Sequence, residues 1–549
     1  MNKASSPLER FFHWEKTTPQ NIFFRQPINN DWKTWTYQQA GKEIRTMAGA
    51  LSALQPKSKV AILSKNCAHW IMADLAIMTA GHISVPLYAN SSVTSIKQIL
   101  EHSESTAIFV GKLDDYENQK KGIPDTVQKI SASTYGIHEG LLWEEVVETH
   151  KPLTQAVERN AEELLTIMYT SGTTGKPKGV MFNSKAFDHT TDILIKYLHK
   201  WETLPKHPRL FSYLPLCHIA ERNLTEMLAL YTGANISFVE SLESFGRDLA
   251  SVQPDLFFGV PRIWAKFQEK VLEKMPQKKL DTLLKVPIIS GIVKKSITKK
   301  LGLAKAGLKG TAAAPIPVSL LKWFDSLGIR LREIYGMTEN CALSHSNQKE
   351  IRFGTVGQAM ETVEVKFSDE NEILTRHVAL MLGYYKEPGM TAEIMTADGY
   401  LRTGDQGQLD KDGFLTITGR VKDLFKTDKG KYISPAPIEM KLMKNSNIEQ
   451  VCVVGMGIPQ PIALVNLSAA GKSKSKEEIM QSLAASLEEI NPTLEHYEHL
   501  KKVVIMKEEW TINNGLMTPT MKVKRNEVEK IYLPKYPTWY SQGTVVVWE

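Results

Sequence analysis

The chain contains few cysteines and no long uninterrupted apolar run. The 549 residues include four cysteines, which lie far apart and form no C-x-x-C pair: Cys67, Cys217, Cys341 and Cys452. This spacing argues against a disulfide framework or a zinc site and favours a reducing compartment. The most apolar stretch, 73–89, contains Asp, Gly, His, Ser and Pro. Since a spanning helix needs about 20 predominantly apolar residues, we expect none.

The N-terminal segment also lacks a targeting signal. Residues 1–14 have no apolar signal-peptide core, so we expect a cytoplasmic protein. Apolar residues make up 42% of the chain and charged residues 23%, which is ordinary for a soluble globular protein. A chain of 549 residues is too long for a single hydrophobic core, so the sequence predicts two or more domains.

Positive charge is concentrated in one segment. The net charge is +7, and residues 274–309 contain ten lysines and one acid, Asp281, so this segment alone carries +9. A solvated helical face is one interpretation. The other is a patch for an acidic partner, such as anionic lipid, coenzyme A phosphates or an acyl carrier protein. Few aromatic residues lie between the lysines, so we expect no nucleic-acid platform.

Short strand-like runs alternate with helical patterns through the first 340 residues. The predicted strands are 60–63, 83–88, 106–111, 164–169, 209–214, 236–239 and 255–260. This alternation predicts an α/β fold in which parallel sheets are covered by helices. After residue 355, Gly- and Asp-rich turns predict antiparallel hairpins. A smaller α+β segment follows "GRVKD", and we place the domain boundary between 421 and 422, giving domains 1–421 and 422–549.

The loop "YTSGTTGKPKG" (169–179) has the composition of a phosphate-binding loop. Its glycines let main-chain N–H groups approach a ligand, and its hydroxyls and lysines add donors and positive charge. The loop is not a Walker A sequence, because Thr170 stands where that pattern needs glycine and Pro177 follows the lysine. If the loop is considered alone, the alternative interpretation is a glycine-rich surface turn that binds no phosphate.

Four other motifs occur with this loop. They are "YGMTE" (335–339), "GYLRTGD" (399–405), "GRVKDLFKTDKGKYISP" (419–435) and "PTMKVKR" (519–525). Together the five motifs resemble the adenylate-forming superfamily of acyl-CoA synthetases, luciferases and peptide-synthetase adenylation domains. They stand in that superfamily's order and extend over most of the chain. The resemblance implies a large N-terminal domain with a small β-barrel-like subdomain, followed by a small mobile C-terminal domain.

The resemblance implies a site for ATP and Mg²⁺. It assigns the phosphates to the loop residues Thr170, Ser171, Gly172, Thr173, Thr174, Gly175 and Lys178. Thr338 would contact the α-phosphate, and Glu339, a hard oxygen ligand, would hold magnesium together with Thr170. The nucleoside would lie against Ala313, Ala314, Tyr335, Gly336, Asp405 and Arg420. Asp405 would bind both ribose hydroxyls, since one carboxylate accepts two hydrogen bonds.

Two half-reactions are implied for the C-terminal domain. Lys522 matches the catalytic lysine that reaches the α-phosphate and the attacking carboxylate. Lys422 matches the hinge about which this domain rotates between the half-reactions. After rotation, the loop around Gly430 would line the path of the coenzyme A thiol, which is a form of lid gating. The lysine could also be Lys524, but the motif alignment favours Lys522.

The segment "SYLPLCHIAERN" (212–223) indicates the class of acid that is activated. It resembles the corresponding segment of medium- and long-chain acyl-CoA synthetases, with His218 in the matching catalytic position. A packed histidine at a strand end is the alternative. Amino-acid-activating relatives carry an aspartate in this region, and none lies between Phe211 and Glu221. Segments 256–264 and 310–317 would line the acyl pocket and the adenine site, with Ala312 where glycine is common. Segment 434–468 resembles long-chain and bubblegum-type synthetases.

These features predict an ATP-dependent fatty-acid:CoA ligase that is active with a long-chain acid. We expect the protein in the cytoplasm, or bound peripherally at the inner face of the membrane through residues 274–309. One alternative passes the acyl group to acyl carrier protein, and another stops at acyl-AMP or takes an aryl acid. A remote alternative is a non-catalytic nucleotide-binding protein, which the presence of Glu339, Asp405 and Lys522 disfavours. Chain length has no sequence motif, because each buried methylene changes affinity only a few-fold.

Overall fold

The computed structural model describes residues 6–171, 177–201, 204–518 and 520–549. Strands and helices alternate up to residue 340. The strands are β1 (Ile22–Ile28), β2 (Asp31–Thr36), β3 (Lys59–Leu63), β4 (Ile83–Leu87), β5 (Ser105–Val110), β6 (Gln128–Ser131), β7 (Leu141–Leu142), β8 (Leu164–Ser171), β9 (Pro177–Asn183), β10 (Arg209–Ser212), β11 (Asn235–Phe238), β12 (Leu256–Phe258), β13 (Leu308–Thr311) and β14 (Arg332–Tyr335). The helices are α1 (Pro7–Thr17), α2 (Tyr37–Leu51), α3 (Ala68–Thr79), α4 (Val93–Ser103), α5 (Tyr116–Gln119), α6 (Trp143–Thr149), α7 (Ser184–Trp201), α8 (Ile219–Glu221), α9 (Leu228–Thr232), α10 (Phe245–Val252), α11 (Pro261–Lys274), α12 (Gln277–Leu284), α13 (Pro287–Lys300) and α14 (Val318–Ser326).

Strands dominate from residue 345 to about 433, and helices return after that. The strands are β15 (His345–Ser346), β16 (Gln358–Ala359), β17 (Glu364–Phe367), β18 (Glu372–Arg376), β19 (Gly383–Tyr384), β20 (Leu401–Leu409), β21 (Leu415–Arg420), β22 (Phe425–Lys426), β23 (Tyr432–Ile433), β24 (Ile448–Val454), β25 (Ile462–Leu467), β26 (Lys502–Ile505) and β27 (Val546–Trp548). The helices are α15 (Pro388–Ile394), α16 (Pro435–Leu442), α17 (Ala469–Lys472), α18 (Lys476–Ile490), α19 (Arg525–Tyr532) and α20 (Tyr536–Ser541).

Three sheets of the N-terminal part carry helices. The eight-stranded sheet has the order β19-β9-β8-β4-β3-β5-β6-β7, a four-stranded sheet has the order β10-β11-β1-β2, and a five-stranded sheet has the order β12-β13-β14-β15-β16. The predicted α/β class is confirmed. The sheets are mixed rather than purely parallel, because β8–β9 and β1–β2 are antiparallel hairpins.

All seven predicted strands are present, but two end two residues earlier than expected. Strand β10 ends at Ser212 and β12 ends at Phe258. Each is followed within three residues by proline, at 215 and 261, which lacks the N–H needed for a sheet ladder and restricts the residue before it.

The stretch 73–89, which is too broken to span a membrane, forms a buried helix and strand. Every residue of α3 is buried, so this helix is enclosed by other elements on all sides. Within the residues that the structure describes, no helix is long and apolar enough to cross a bilayer.

A buried ionic group lies directly after the segment that contains His218. Arg222, in a π-helical turn over Arg222–Met227, donates to Asp74 in α3 at 2.5 Å and to Thr166 in β8 at 2.9 Å. Glu226 Oε2 lies 3.3 Å from Arg222 Nε. All three ionic side chains are fully buried, and burial raises the pKa of Glu226 well above its usual value. The group therefore ties this segment to the central helix and sheet.

Buried histidines make the stability of the fold depend on pH. Burial lowers the pKa of His69 to about 3, and those of His218, His345 and His377 to about 4. An unfolded histidine has a pKa near 6.5, so below that value the unfolded state binds more protons. We expect the contribution of these groups to be fully present above about pH 6.5 and to be lost as the pH falls towards 4. Urea unfolding at a series of pH values measures this decline.

The matched variants are His69→Gln and His150→Gln. His69 Nδ1 lies 2.9 Å from the Tyr135 hydroxyl, and the ring is flanked edge-on by Trp35 and Trp143. His150 is exposed. His69→Gln should flatten the acid-side slope of the unfolding free energy, whereas His150→Gln should leave it unchanged. An unchanged slope in His69→Gln would contradict this explanation.

The segment 364–420 forms a separate four-stranded antiparallel sheet with the order β17-β18-β20-β21. The C-terminal part is built on the sheet β24-β25-β26-β27, which mixes antiparallel and parallel pairs. Residues of α16 and α18 pack in the hydrophobic cluster on one face of this sheet, and residues of α19 and α20 pack in the cluster on the other. The boundary between domains at 421/422 stays a prediction, and it falls one residue after the end of β21. Arg262 of α11 and Glu449 of β24 form an ion pair between the two parts.

Candidate functional site

A tight reversal after β14 presents Thr338 and Glu339. Asn340 Oδ1 accepts the Met337 N–H at 2.9 Å, and Cys341 and Ala342 have φ values of 53° and 56°, in the left-handed region. Asn223 holds the turn by donating to the Cys341 carbonyl at 2.8 Å. The reversal explains why glycine stands at 336. A Cβ there would lie 2.7 Å from the Ala342 carbonyl carbon and oxygen.

We therefore expect Gly336→Ala to distort this turn. The added methyl group meets backbone, which cannot rotate away, so a loss of about 1–3 kcal/mol in the free energy of unfolding follows. Chemical denaturation measures the loss. Gly389→Ala in α15 is the matched control, because a Cβ there has no atom within 4 Å. Equal stability of the two variants would contradict the tight approach.

Glu339 lies between two elements that the sequence separates widely. Its side chain is 9% exposed, and its Oε1 accepts from the Tyr384 hydroxyl at 2.8 Å. Tyr384 is held by β19, which pairs with β9 so that Tyr384 lies opposite Val180. The Lys178 ammonium lies 5.3 Å from the centre of the Tyr384 ring. A carboxylate, a phenol and a cation therefore meet at one edge of the eight-stranded sheet.

The predicted phosphate loop connects β8 and β9. Thr170 lies opposite Lys178 in the antiparallel ladder. Burial and the nearby Lys422 ammonium lower the pKa of Lys178, while the Glu339 carboxylate opposes that shift. Five of the candidate residues are not placed by the structure. Gly172, Thr173, Thr174 and Gly175, and the side chain of Ser171, lie outside the described residues.

Asp405 and Tyr335 meet at a second edge of the cleft. Asp405 is buried, and its Oδ2 accepts from the Tyr335 hydroxyl at 2.7 Å while its Oδ1 accepts from Arg420 Nε at 2.7 Å. The last contact follows from the β20–β21 ladder, in which Asp405 lies opposite Arg420. Each carboxylate oxygen keeps a second lone pair, so two hydroxyl donors can still be accepted.

Lys522 of the C-terminal domain interacts electrostatically with Asp405 and Arg420 of the N-terminal part. Residue 522 is exposed to solvent. The surrounding protein nevertheless lowers the pKa of the Lys522 ammonium, and the charge of Arg420 lowers it further, whereas the Asp405 carboxylate opposes the shift. The Lys522 charge also contributes to the lowered pKa of His218. The Lys522 ammonium therefore lies within electrostatic range of Asp405, Arg420 and His218. Its backbone is fixed by reciprocal hydrogen bonds with Thr518, at 3.0 and 2.8 Å.

His218 precedes α8 and accepts the Ala220 N–H on Nδ1 at 3.2 Å. Burial, with a smaller effect from Lys522, lowers its pKa to about 4, so the ring is neutral near pH 7. A neutral imidazole that already accepts on Nδ1 carries its proton on Nε2. His218 thus caps α8 through Nδ1 and keeps an N–H donor on Nε2.

The segment 310–317 contains a backbone feature that the sequence did not indicate. Ala313 adopts a φ of 72°, in the left-handed region that usually favours glycine, and Ala313 and Ala314 are exposed. The unusual residue is therefore Ala313, one position after the Ala312 that departs from the superfamily pattern. The exposed methyl groups form a surface beside β13 and β14, on which a flat ring could lie.

The predicted hinge and thiol-path residues lie just beyond β21. Lys422 is exposed in a short helical turn over Val421–Asp423, close enough to lower the pKa of Lys178. Gly430 lies in the turn between β22 and β23, with a φ of 76°, and its N–H donates to the Thr427 carbonyl at 3.0 Å. Gly430 is also exposed, on the C-terminal domain.

The predicted acyl-pocket segment is aromatic and tightly packed. Tyr213 stacks on Phe257 with ring centres 5.7 Å apart and donates to the Phe258 carbonyl at 2.7 Å. A cavity of about 10 Å³, lined in part by Tyr213, Phe258 and Glu221, holds at most one water molecule.

Two side chains at the site were missed by sequence reasoning. Tyr384 stands in the short run "GYYK" and shows no motif; only the pairing of β19 with β9 brings it to Glu339. Glu221 accepts from Ser212 Oγ at 2.8 Å and the Tyr213 N–H at 3.2 Å, and burial raises its pKa to about 8. The only available signal for Glu221 was a charged residue next to an apolar run.

The site fits a magnesium ion held mainly by its substrate. Within the described ranges, no group of three or more His, Cys, Asp or Glu side chains could hold a metal by itself. Magnesium characteristically uses one or two carboxylates together with substrate phosphates. Glu339 suits that arrangement, because Tyr384 occupies only one of its two oxygens.

Comparison with known proteins places this architecture in a family. Residues 11–385 match the AMP-binding enzyme family, and residues 422–543 match the AMP-binding enzyme C-terminal domain. The chain is 26% identical to the long-chain-fatty-acid–CoA ligase FadD15 of Mycobacterium tuberculosis, over 97% of this chain and 96% of that protein. It is 28% identical to long-chain-fatty-acid–CoA ligase 5 of Rattus norvegicus, over 94% and 86%. The predicted resemblance is confirmed.

Solved structures share the fold. The A domain of a carboxylic acid reductase from Segniliparus rugosus, in complex with AMP and a carboxylic acid, superposes with a TM-score of 0.80 at 18% identity, covering 99% of this chain and 95% of that one. The o-succinylbenzoate CoA synthetase of Bacillus subtilis, bound to its acyl-adenylate, gives 0.74 at 20% identity, covering 95% and 97%.

Proposed function

We propose that this chain, which belongs to the AMP-binding enzyme family, activates a long-chain fatty acid with ATP and transfers the acyl group to coenzyme A. The position of Lys522 carries the proposal. The ammonium of Lys522, on the C-terminal domain, lies within electrostatic range of Asp405 and Arg420 of the N-terminal domain, and we assign the ribose and α-phosphate of a nucleotide to that region. The relatives named as long-chain fatty-acid ligases, matched over nearly their full length, support the choice of substrate.

In the first half-reaction, a carboxylate oxygen attacks the α-phosphorus of ATP and pyrophosphate leaves. Both reactants are anions, so positive charge must offset their repulsion. Lys522 supplies that charge at the reacting atoms, and Thr338 lies on the turn facing them. Lys178 takes the outer phosphates together with the loop before it, and the neutral His218 donates to the acid from Nε2.

Nucleoside binding is assigned to the other edge of the cleft. Asp405 accepts the two ribose hydroxyls with its remaining lone pairs. Tyr335 and the exposed Ala313 and Ala314 border the adenine ring, and Gly336 leaves room for the turn beside it. Arg420 orients Asp405 through the contact between Nε and Oδ1.

Magnesium, when bound with ATP, neutralises phosphate charge. Glu339 would hold it, helped by the Thr170 hydroxyl. Tyr384 orients the Glu339 carboxylate by donating to Oε1. Glu339 is thus positioned by β19, the strand that pairs with β9 directly after the phosphate loop.

In the second half-reaction the thiol of coenzyme A attacks the acyl carbonyl and AMP leaves. We propose that the C-terminal domain rotates about Lys422 before this step. Lys522 then leaves the cleft, and the turn containing Gly430 borders the thiol path. The glycine allows the left-handed φ of 76° that this turn needs.

The experiment that tests this function measures ATP-dependent thioester formation across acids of two to twenty carbons. Parallel reactions supply coenzyme A or acyl carrier protein. Thioester on coenzyme A with long acids supports the proposal. Thioester only on carrier protein would replace the acceptor, and pyrophosphate release with accumulation of acyl-AMP and no thioester would indicate an enzyme that stops at acyl-AMP.

A further inference from the structure

Helices α12 and α13 form a pair, the α12–α13 hairpin (residues 277–300), that exposes apolar side chains at its tip. Ile288 is 81% exposed and Ile292 is 64% exposed. They are four residues apart on one helix and so lie on the same face. Val286 and Ile289 are also exposed beside them. Clustered exposed apolar residues of this kind mark an interaction surface.

Lysines surround this apolar tip. Exposed lysines of the hairpin are Lys278, Lys279, Lys285, Lys295, Lys299 and Lys300. Lys295 and Lys299 continue the face of Ile288 and Ile292 at spacings of three and four residues. Across the described part of the chain, none of these six lysines forms an ion pair with an acid. The hairpin's single acid, Asp281, accepts from Gln277 at 2.6 Å.

The base of the hairpin is firmly packed, so the exposed tip is not a poorly folded segment. Leu280 and Ile297 are buried in a hydrophobic cluster that also contains Trp264, Phe267 and Phe324. At the start of α12, Trp323 Nε1 donates to the Gln277 side-chain oxygen at 2.9 Å. The inner face of α13 therefore contributes to the core, while its outer face is left without a partner.

We propose that the α12–α13 hairpin docks the protein on a lipid bilayer that carries anionic headgroups. An interfacial helix combines an apolar face with flanking lysines, and both features occur here on one face of α13. Ile288 and Ile292 enter the acyl boundary, and the lysines meet the phosphates. Along the helix axis, Ile288 and Lys299 are separated by about 16 Å, so the helix dips obliquely with its N-terminal end deepest.

An acidic protein fits this surface less well. It would complement the lysines, but the isoleucines project singly from a convex helix, whereas a protein partner buries such anchors in a pocket of its own. A bilayer accepts projecting apolar side chains without a matching pocket, so the combination of cations and protruding isoleucines favours lipid.

The surface goes beyond the proposed function and does not depend on it. If the chain also activates fatty acids, the location of the hairpin determines how near the acyl site lies to the membrane. Helix α11 starts beside the Phe257–Phe258 strand and ends at the hairpin, a length of about 21 Å. Docking would hold the acyl site near the bilayer in which long-chain acids dissolve.

Co-sedimentation of the full chain with vesicles tests the proposal. Vesicles of equimolar phosphatidylcholine and phosphatidylglycerol are compared with vesicles of phosphatidylcholine alone. We expect binding to the anionic vesicles, weakening as salt is added. Lys295→Gln with Lys299→Gln should lower the partition coefficient about 25-fold, since each lysine contributes about fivefold at such a surface. Ile288→Ser with Ile292→Ser should lower it at least about tenfold.

The matched control is Lys16→Gln with Lys42→Gln, which removes the same charge from exposed positions of α1 and α2. It should bind like the unmodified chain. Unchanged thermal unfolding of all three variants shows that they fold. The proposal is overturned by equal binding to both vesicle types, by equal loss in the control, or by capture of acyl carrier protein through these lysines without vesicle binding. Absence of ligase activity would leave the vesicle result intact, so the two failures are distinguishable.

Discussion

Replacing Lys522 with alanine should abolish acyl-adenylate formation and largely spare the second half-reaction. At about 4 Å, a cation–anion interaction near a protein surface is worth roughly 4 kcal/mol. Its loss from the transition state slows adenylation on the order of a thousandfold. In the proposed cycle the domain that carries Lys522 rotates away before the thiol attacks, so thioester formation from supplied acyl-AMP should change little. Single-turnover assays of each half-reaction measure the two rates separately.

Lys524→Ala is the control for this substitution. Lys524 lies two residues further along the same segment, directly before α19, so its removal changes the same charge on the same domain. It should leave adenylation within a few-fold of the unmodified rate. Equal slowing of both half-reactions in Lys522→Ala, or an equal effect of Lys524→Ala, would contradict the role assigned to Lys522.

Glu339→Gln should produce a loss of similar size in the first half-reaction. The amide keeps the shape of the side chain but removes its negative charge. A magnesium ion about 4 Å away or closer would lose at least roughly 4 kcal/mol of attraction. We expect adenylation to slow by about a thousandfold, with a large rise in the magnesium concentration needed for half-maximal rate. A magnesium titration of acid-dependent pyrophosphate release measures both effects.

Two further variants show whether Glu339 acts through its position. Tyr384→Phe removes the hydrogen bond to Oε1 but keeps the charge, and a hydrogen bond to a charged group contributes about 1.5–3 kcal/mol. It should give an intermediate loss, mainly in the magnesium requirement. Glu361→Gln removes an exposed carboxylate and should have little effect. An unchanged magnesium requirement in Glu339→Gln would mean that another group holds the ion.

Much of the candidate site is predictable because its residues stand in local motifs. Asp405 and Arg420 flank a single hairpin, so their contact follows once the β20–β21 pairing is known. Thr338 and Glu339 follow directly on a strand, where the chain must turn. The α/β class is predictable for a similar reason, since strand and helix patterns alternate over hundreds of residues.

The contacts that the sequence could not indicate join distant segments. Tyr384 reaches Glu339 only because β19 pairs with β9, and Arg222 meets Asp74 only because α3 is enclosed by elements far along the chain. Neither contact leaves a local pattern. The left-handed φ of Ala313 could not be predicted for a different reason: glycine, and not alanine, is the residue type expected in that conformation.

Isotope transfer tests the central claim, that the acid is activated as an acyl-adenylate at the cleft containing Lys522, Asp405 and Glu339. A long-chain fatty acid labelled with oxygen-18 in its carboxyl group is incubated with ATP, magnesium, coenzyme A and the enzyme, and the products are analysed by mass spectrometry. Attack of the carboxylate on the α-phosphorus predicts one labelled oxygen in AMP and none in pyrophosphate. Label in inorganic phosphate with release of ADP, or thioester formation with unlabelled AMP, would contradict it.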